Sequence, residues 1–189
     1  MIEQTFGPRR CRDTRKPLAA QCPDTAFYRC PVCGSVFCVT GAAAKGGVEG
    51  GPGHADGGPQ LSCCGRSMER LIPASSGEGG PITYQIVGGY NDNAVRVSWS
   101  TGSKECAPQW IYLKTFTGGC LKYVPAGRRP PLVFALADTD AFAYCDANPC
   151  LGCVFRCKRG FVLYAYFPDT GLWELPLDKM TAQWQSKAP

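Results

Sequence analysis

The chain has 189 residues, among them 23 Gly, 16 Pro and 13 Cys, and carries a formal charge of +5 at pH 7. That length holds one large domain, or a small domain joined to a medium one, and the turn-rich composition with few 3.6-period apolar runs excludes a mainly helical fold. No run approaches the about 18 apolar residues of a membrane span and the first residues lack a secretory apolar core, so a soluble, cytoplasmic protein is expected.

Thirteen cysteines mean either a disulfide framework outside the cell or thiolate ligands inside it, and in a reducing compartment the second applies. Residues 1–26 are expected to be an N-terminal extension, rich in charge, with Cys11 and Cys22 given no role. Its basic stretch, Arg9, Arg10, Arg12, Arg15 and Lys16, lacks the interleaved aromatics of a nucleic-acid site and reads as solvated tail. Nucleic acid and membrane are therefore not expected partners. A mild positive field still suits small anions or an acidic electron-transfer partner.

From Phe27 the pattern changes. Aromatic and β-branched residues flank Cys30-Pro31-Val32-Cys33, which predicts two short strands hinged on a cysteine turn. Residues 41–59 are mostly Gly, Ala, Pro and polar, the composition of a loop, and they carry the chain's one histidine, His54. Leu61-Ser62-Cys63-Cys64-Gly65 then closes a metal-binding module expected over 27–72. Residues 73–81 have the composition of a linker. Beyond it, strands are expected at Ile82–Val87, Ala94–Trp99, 110–116, 121–124, 132–136, 142–144 and 161–167, separated by Gly- and Pro-rich turns. So many short strands over 82–177 predict a β-sandwich, and the whole chain is expected to be all-β.

Cys30, Cys33, Cys63 and Cys64 suit a tetrahedral thiolate site. The Cys-x-x-Cys spacing lets a tight turn aim two sulfurs at one centre, and Gly34 and Gly65 let the chain fold back after each pair. Neighbouring side chains on an extended backbone point apart, so Cys63-Cys64 is expected on a distorted turn. Iron and zinc both suit these ligands, and disulfide pairing is a third outcome.

Tyr28-Arg29-Cys30-Pro31-Val32-Cys33-Gly34 and Leu61-Ser62-Cys63-Cys64-Gly65-Arg66-Ser67-Met68-Glu69 resemble the desulforedoxin module. In that family the module binds one iron through four cysteines and is often the N-terminal part of desulfoferrodoxin, a two-domain superoxide reductase. The 29 residues between Cys33 and Cys63 exceed the family's usual spacing. The resemblance continues more weakly through Val87-Gly88-Gly89-Tyr90, Gln109-Trp110-Ile111-Tyr112-Leu113 and Gly171-Leu172-Trp173-Glu174. It implies an immunoglobulin-like sandwich, a mononuclear iron at the four cysteines, and a homodimer.

The resemblance also implies a second iron held by four histidine nitrogens and a cysteine, which a chain with one histidine cannot assemble. The family's Cys-x-x-His before Gly-Leu-Trp corresponds to Phe167-Pro168-Asp169-Thr170 here, and an alternative placement at Cys145 leaves Asn148 where a histidine belongs. Nearby lies a second cysteine cluster, Cys145, Cys150, Cys153 and Cys157, which suits a second iron, an iron–sulfur cluster or a zinc ion. Cys106 and Cys120 read as core cysteines. Three functions compete: an electron-transfer protein, an oxidoreductase using superoxide or peroxide at a cysteine-rebuilt centre, and a zinc-stapled interaction module. Whether the chain is an enzyme is left open, and the electron donor or acceptor protein is unnamed by its residues.

Overall fold

The structure, a computed structural model, describes residues 24–41, 59–76, 80–88, 93–100, 107–141, 158 and 160–177. Apart from one helical turn, α1 (Asp138–Ala141), its regular elements are strands, so the chain is all-β. None of its helices is long and apolar enough to cross a membrane.

Two short strands, β1 (Thr25–Arg29) and β2 (Val36–Thr40), form an antiparallel hairpin around the first cysteine turn. After the hairpin β3 (Ser62–Cys63) and β4 (Arg66–Ser67), strand β5 (Glu69–Leu71) returns to the free side of β1, giving a sheet ordered β2-β1-β5. Strand β1 begins at Thr25, two residues ahead of the expected module, because Thr25 and Ala26 complete the ladder with Thr40 and Val39.

The stretch expected as a linker contributes a strand of its own. Ala74–Ser75 (β6) pairs in parallel with β13 (Gly171–Pro176), and Ser76 N–H donates to the Glu174 carbonyl at 2.7 Å. Composition suggested a free segment, but the open backbone edge of β13 offers hydrogen bonds that a short strand satisfies.

The sandwich has two sheets. One contains β7 (Ile82–Val87), β8 (Ala94–Trp99) and β11 (Leu132–Ala135) in the order β11-β8-β7. The other contains β9 (Trp110–Lys114), β10 (Gly119–Tyr123) and β12 (Val162–Phe167) and runs β10-β9-β12-β13-β6. Ile82–Val87 and Ala94–Trp99 fall where expected, since each alternates apolar and polar residues against one core. The strand expected at 142–144 lies outside the described residues.

Strands β9 and β12 are buried on both faces. Ile111, Leu113, Leu163, Ala165 and Phe167 join Val95, Val97 and Phe134 in the core between the two sheets. The alternate residues, Trp110, Tyr112, Tyr164 and Tyr166, point the other way and form a second core with Phe27 of β1. Phe27 is the hub: its ring centroid lies 5.0 Å from Trp110, 5.3 Å from Tyr112 and 5.2 Å from Tyr164. Trp110 and Tyr166 stack at 5.5 Å with only 10° between their planes. Burial in this layer pushes the Tyr112 hydroxyl up to about 12, and raises Tyr164 as well. The cysteine module is thus a third layer, seated on an aromatic floor that the sandwich supplies.

Replacing Phe27 by Ala removes the ring at the centre of the aromatic core between module and sandwich, a loss of about 3–5 kcal/mol for a buried Phe. Denaturant unfolding of the metal-free F27A chain is expected to show that drop, and the cysteine module to lose its protection from proteolysis before the sandwich does.

Candidate metal centre

The centre is built from two chain reversals that face each other. In the first, Cys30 ends the β1 ladder, its N–H donates to the Ser35 carbonyl at 2.9 Å, and its own carbonyl accepts from Gly34 N–H at 3.0 Å. Gly34 has a φ of 73°, which reverses the chain directly after Cys33. The Cys33 N–H points back at Cys30 Sγ, 3.5 Å away.

The second reversal explains how adjacent cysteines share one centre. Cys63 pairs with Arg66 across the β3–β4 hairpin, so Cys64 and Gly65 are the two central residues of its turn. Both have positive φ, 51° and 72°, as a type I′ turn demands. A left-handed conformation costs a non-Gly residue about 1–2 kcal/mol, and here it swings Cys64 Sγ to the same side as Cys63 Sγ. The distorted turn expected for this pair is therefore a regular hairpin turn with an irregular residue in it. Met68 N–H donates to the Leu61 carbonyl at 2.8 Å and closes the loop behind it.

The four sulfurs lie within 4.8 Å of one another. Cys33 and Cys63 Sγ are 3.7 Å apart, and Cys63 and Cys64 Sγ 3.8 Å. A tetrahedral thiolate site with metal–sulfur bonds of about 2.3 Å has sulfur–sulfur edges of about 3.8 Å, which these two separations match. Among the described residues, these four are the group of His, Cys, Asp or Glu side chains arranged to hold a metal.

The surroundings are one-sided. Cys30 is fully buried beside Ala26, Tyr28 and Met68, with Leu61 packed against them. Cys33 and Cys64 are exposed, and Cys63 is intermediate. The Ser35 hydroxyl lies 3.1 Å from Cys33 Sγ. Hydrogen bonds from the Ser35 hydroxyl, then from its backbone, pull Cys33 down to about 6. Its neighbours respond oppositely: the Cys33 sulfur, followed by Cys30, pushes Cys63 up to about 12, and Cys33 likewise raises Cys64. One negative charge is accommodated readily, whereas further ionisation in the same cluster needs a cation. Ser35 was not singled out by sequence reasoning, whereas Met68 entered it only as part of the resemblance and not as a packing partner of Cys30. The signal for Ser35 was its place two residues after Cys33 in the turn.

Cys145, Cys150, Cys153, Cys157, Cys106 and His54 lie outside the described residues. Cys120, expected in the core, is exposed because β10 is the outer strand of its sheet. At 167–170, Phe167 is buried in the sandwich core and the Thr170 hydroxyl accepts from Trp173 Nε1 at 3.0 Å. That hairpin turn presents no nitrogen or thiolate ligand.

The fold is similar to that of the superoxide reductase from Treponema pallidum, with a TM-score of 0.51 and 18% sequence identity over 80% of this chain and 97% of that one. At that identity the likeness is one of fold: a β-sandwich with a small metal module beside it. No protein-family model matches the chain, and no curated protein sequence does.

The pKa pattern sets how metal binding depends on pH. At pH 7 Cys33 is already mainly thiolate, while Cys63 and Cys64 still hold their protons and release them when a cation enters. Affinity for cobalt(II), followed by its thiolate absorption, is expected to fall as pH drops below 7, and to fall more steeply below about pH 6, where Cys33 must also lose a proton.

Proposed function

We propose that this chain is an iron-binding redox protein that moves single electrons through the Cys30, Cys33, Cys63 and Cys64 centre. The observation that carries the reading is the gathering of four sulfurs within 4.8 Å of one another, two of the separations being 3.7 and 3.8 Å, with one of the cysteines buried and two exposed. Iron among four thiolates changes by one electron with little change in its ligand geometry, so a rigid site suits it. The chain supplies that rigidity. Backbone hydrogen bonds fix both reversals, Met68 and Tyr28 keep water from Cys30, and Cys33 and Cys64 bring the centre to the surface.

Four protein ligands leave no open position for a substrate, so this centre passes electrons rather than transforming a bound molecule. The fold shared with a superoxide reductase supports the redox reading. A chain with one histidine, however, has too few imidazoles for the family's four-histidine centre. An all-thiolate replacement would add negative charge, lower the potential and repel an anionic oxidant.

Cys145, Cys150, Cys153 and Cys157 remain candidates for a second metal or cluster. One feature supports them: Lys158, fully buried, donates to the Ala141 carbonyl at 2.7 Å and so ties together the two ends of the segment that carries all four. Homodimerisation, a cytoplasmic location and a separate electron donor or acceptor protein complete the reading.

Two outcomes are expected. Protein purified without oxygen should carry iron at the desulforedoxin-type site and absorb in the visible once oxidised, and Cys63→Ser should remove both iron and colour; zinc without colour would favour a structural staple instead. Pulsed superoxide should survive exposure to the reduced chain at close to its uncatalysed lifetime, as followed by its ultraviolet decay.

A further inference from the structure

We propose that the face around Cys33, where the module meets β10, docks an acidic one-electron partner protein; this rests on the redox reading above. Three observations converge there. The first is access. Cys30 is covered by Tyr28 and Met68, so a partner reaches the centre from the side of Cys33 and Cys64.

The second is the surface itself. Cys33 forms one wall of an open cleft of about 320 Å³ whose other walls include Val36, Trp110, Leu121 and Tyr123. Leu121 is 41% exposed and Tyr123 72%, and Val32 at the tip of the cysteine turn is 59% exposed. Leu121 lies opposite the buried Tyr112, and Tyr123 opposite the buried Trp110, so both stand on the outer face of the sheet beside the module. Exposed apolar side chains gathered beside one ligand sulfur form the core of an interface rather than scattered surface residues.

The third is charge. Arg29 has its guanidinium 3.6 Å from where a Gly34 side chain would begin and 5.8 Å from the centre of the Tyr166 ring. Arg66 stands across the hairpin from Cys63, and Arg128 and Arg129 follow Tyr123 in the loop leaving β10. Glu69 and Asp169 are the described acids near this end, opposite Arg29 and in the β12–β13 turn. None of the four arginines forms an ion pair among the described residues, and the chain as a whole is +5. Basic side chains beside an exposed apolar patch, Arg29 and Arg66 closest to the centre, steer and orient an acidic partner. In the exchange, the partner is oxidised by one electron and the ferric centre is reduced by one, with no bond made or broken.

Flavodoxin, a strongly acidic one-electron protein, serves as the probe. Its reduced form is mixed with the oxidised iron-loaded chain by stopped flow, beside L121D and Y123D chains, with dithionite as a small reductant that needs no docking. The second-order rate is expected to fall about tenfold in each variant, and to fall as salt rises from about 0.02 M to about 0.3 M, while the dithionite rate changes less than about twofold. A second readout needs no iron: titrating zinc-loaded, ¹⁵N-labelled chain with oxidised flavodoxin should shift the Gly34, Ser35, Leu121 and Tyr123 amides. Rates equal in variant and parent, a rate that rises with salt, or shifts confined elsewhere would overturn the proposal, as would a dimer that buries Leu121 and Tyr123. Failure of the iron reading looks different, because the chain would then be colourless and unresponsive to dithionite while the zinc-form shifts still report docking.

Discussion

The molecule depends on a sheet that is apolar on both faces. In β9 and β12, successive residues alternate between Ile111, Leu113, Leu163 and Ala165 on one side and Trp110, Tyr112, Tyr164 and Tyr166 on the other. The first set is covered by the second sheet of the sandwich. The second set is four large aromatic rings, each burying about 150–250 Å² when covered, and leaving them in water would forfeit much of the stability of the fold. The cysteine module covers them through Phe27, Val36 and Leu71.

The dependence runs both ways. On its far side, among the described residues, the module has a core of Ala26, Tyr28, Cys30 and Met68, with Val39, Leu61 and Cys63 packed against it. A unit that small rarely folds on hydrophobic burial alone, and stabilisation comes from a metal, a neighbour, or both. Here the aromatic floor anchors β1, and β1 delivers Cys30 at its end. Positioning of the first ligand is therefore a consequence of packing that occurs on the opposite face of the same strand.

Electrostatics decides what the assembled sulfurs can do. Four thiols brought to within 4.8 Å cannot all ionise unaided: Ser35 hydrogen bonds bring Cys33 down to about 6, and the neighbouring sulfurs of Cys33 and Cys30 push Cys63 up to about 12. A bound cation resolves the conflict; the Cys33 N–H already aimed at Cys30 Sγ favours electron-rich sulfur, and the Ser35 hydroxyl beside Cys33 Sγ can donate to it once the thiol has lost its proton. Geometry and charge point to the same occupant: a metal ion held by four thiolates. The likeness to a superoxide reductase is accordingly a likeness of scaffold. In the turn at 167–170, Phe167 serves packing and Thr170 a hydrogen bond with Trp173.

The sequence by itself determined the all-β class, the grouping of Cys30, Cys33, Cys63 and Cys64 and the need for an unusual turn at Cys63-Cys64, because spacing, composition and two-residue alternation are local properties of the chain. Ile82–Val87 and Ala94–Trp99 were legible to the residue for the same reason: each has one apolar face, so its period is plain. Tertiary structure decided the rest. Trp110-Ile111-Tyr112-Leu113 reads as a continuous apolar run, and nothing local says that its two faces serve two different cores. Ala74–Ser75 has the composition of a linker and becomes a strand only because β13 leaves an open edge beside it. Cys120 is as apolar as a core cysteine and lies exposed only because no strand follows β10 in its sheet. Periodicity records which side of a strand avoids water, but what covers that side depends on residues far away in the chain, and that information exists only once the layers have stacked.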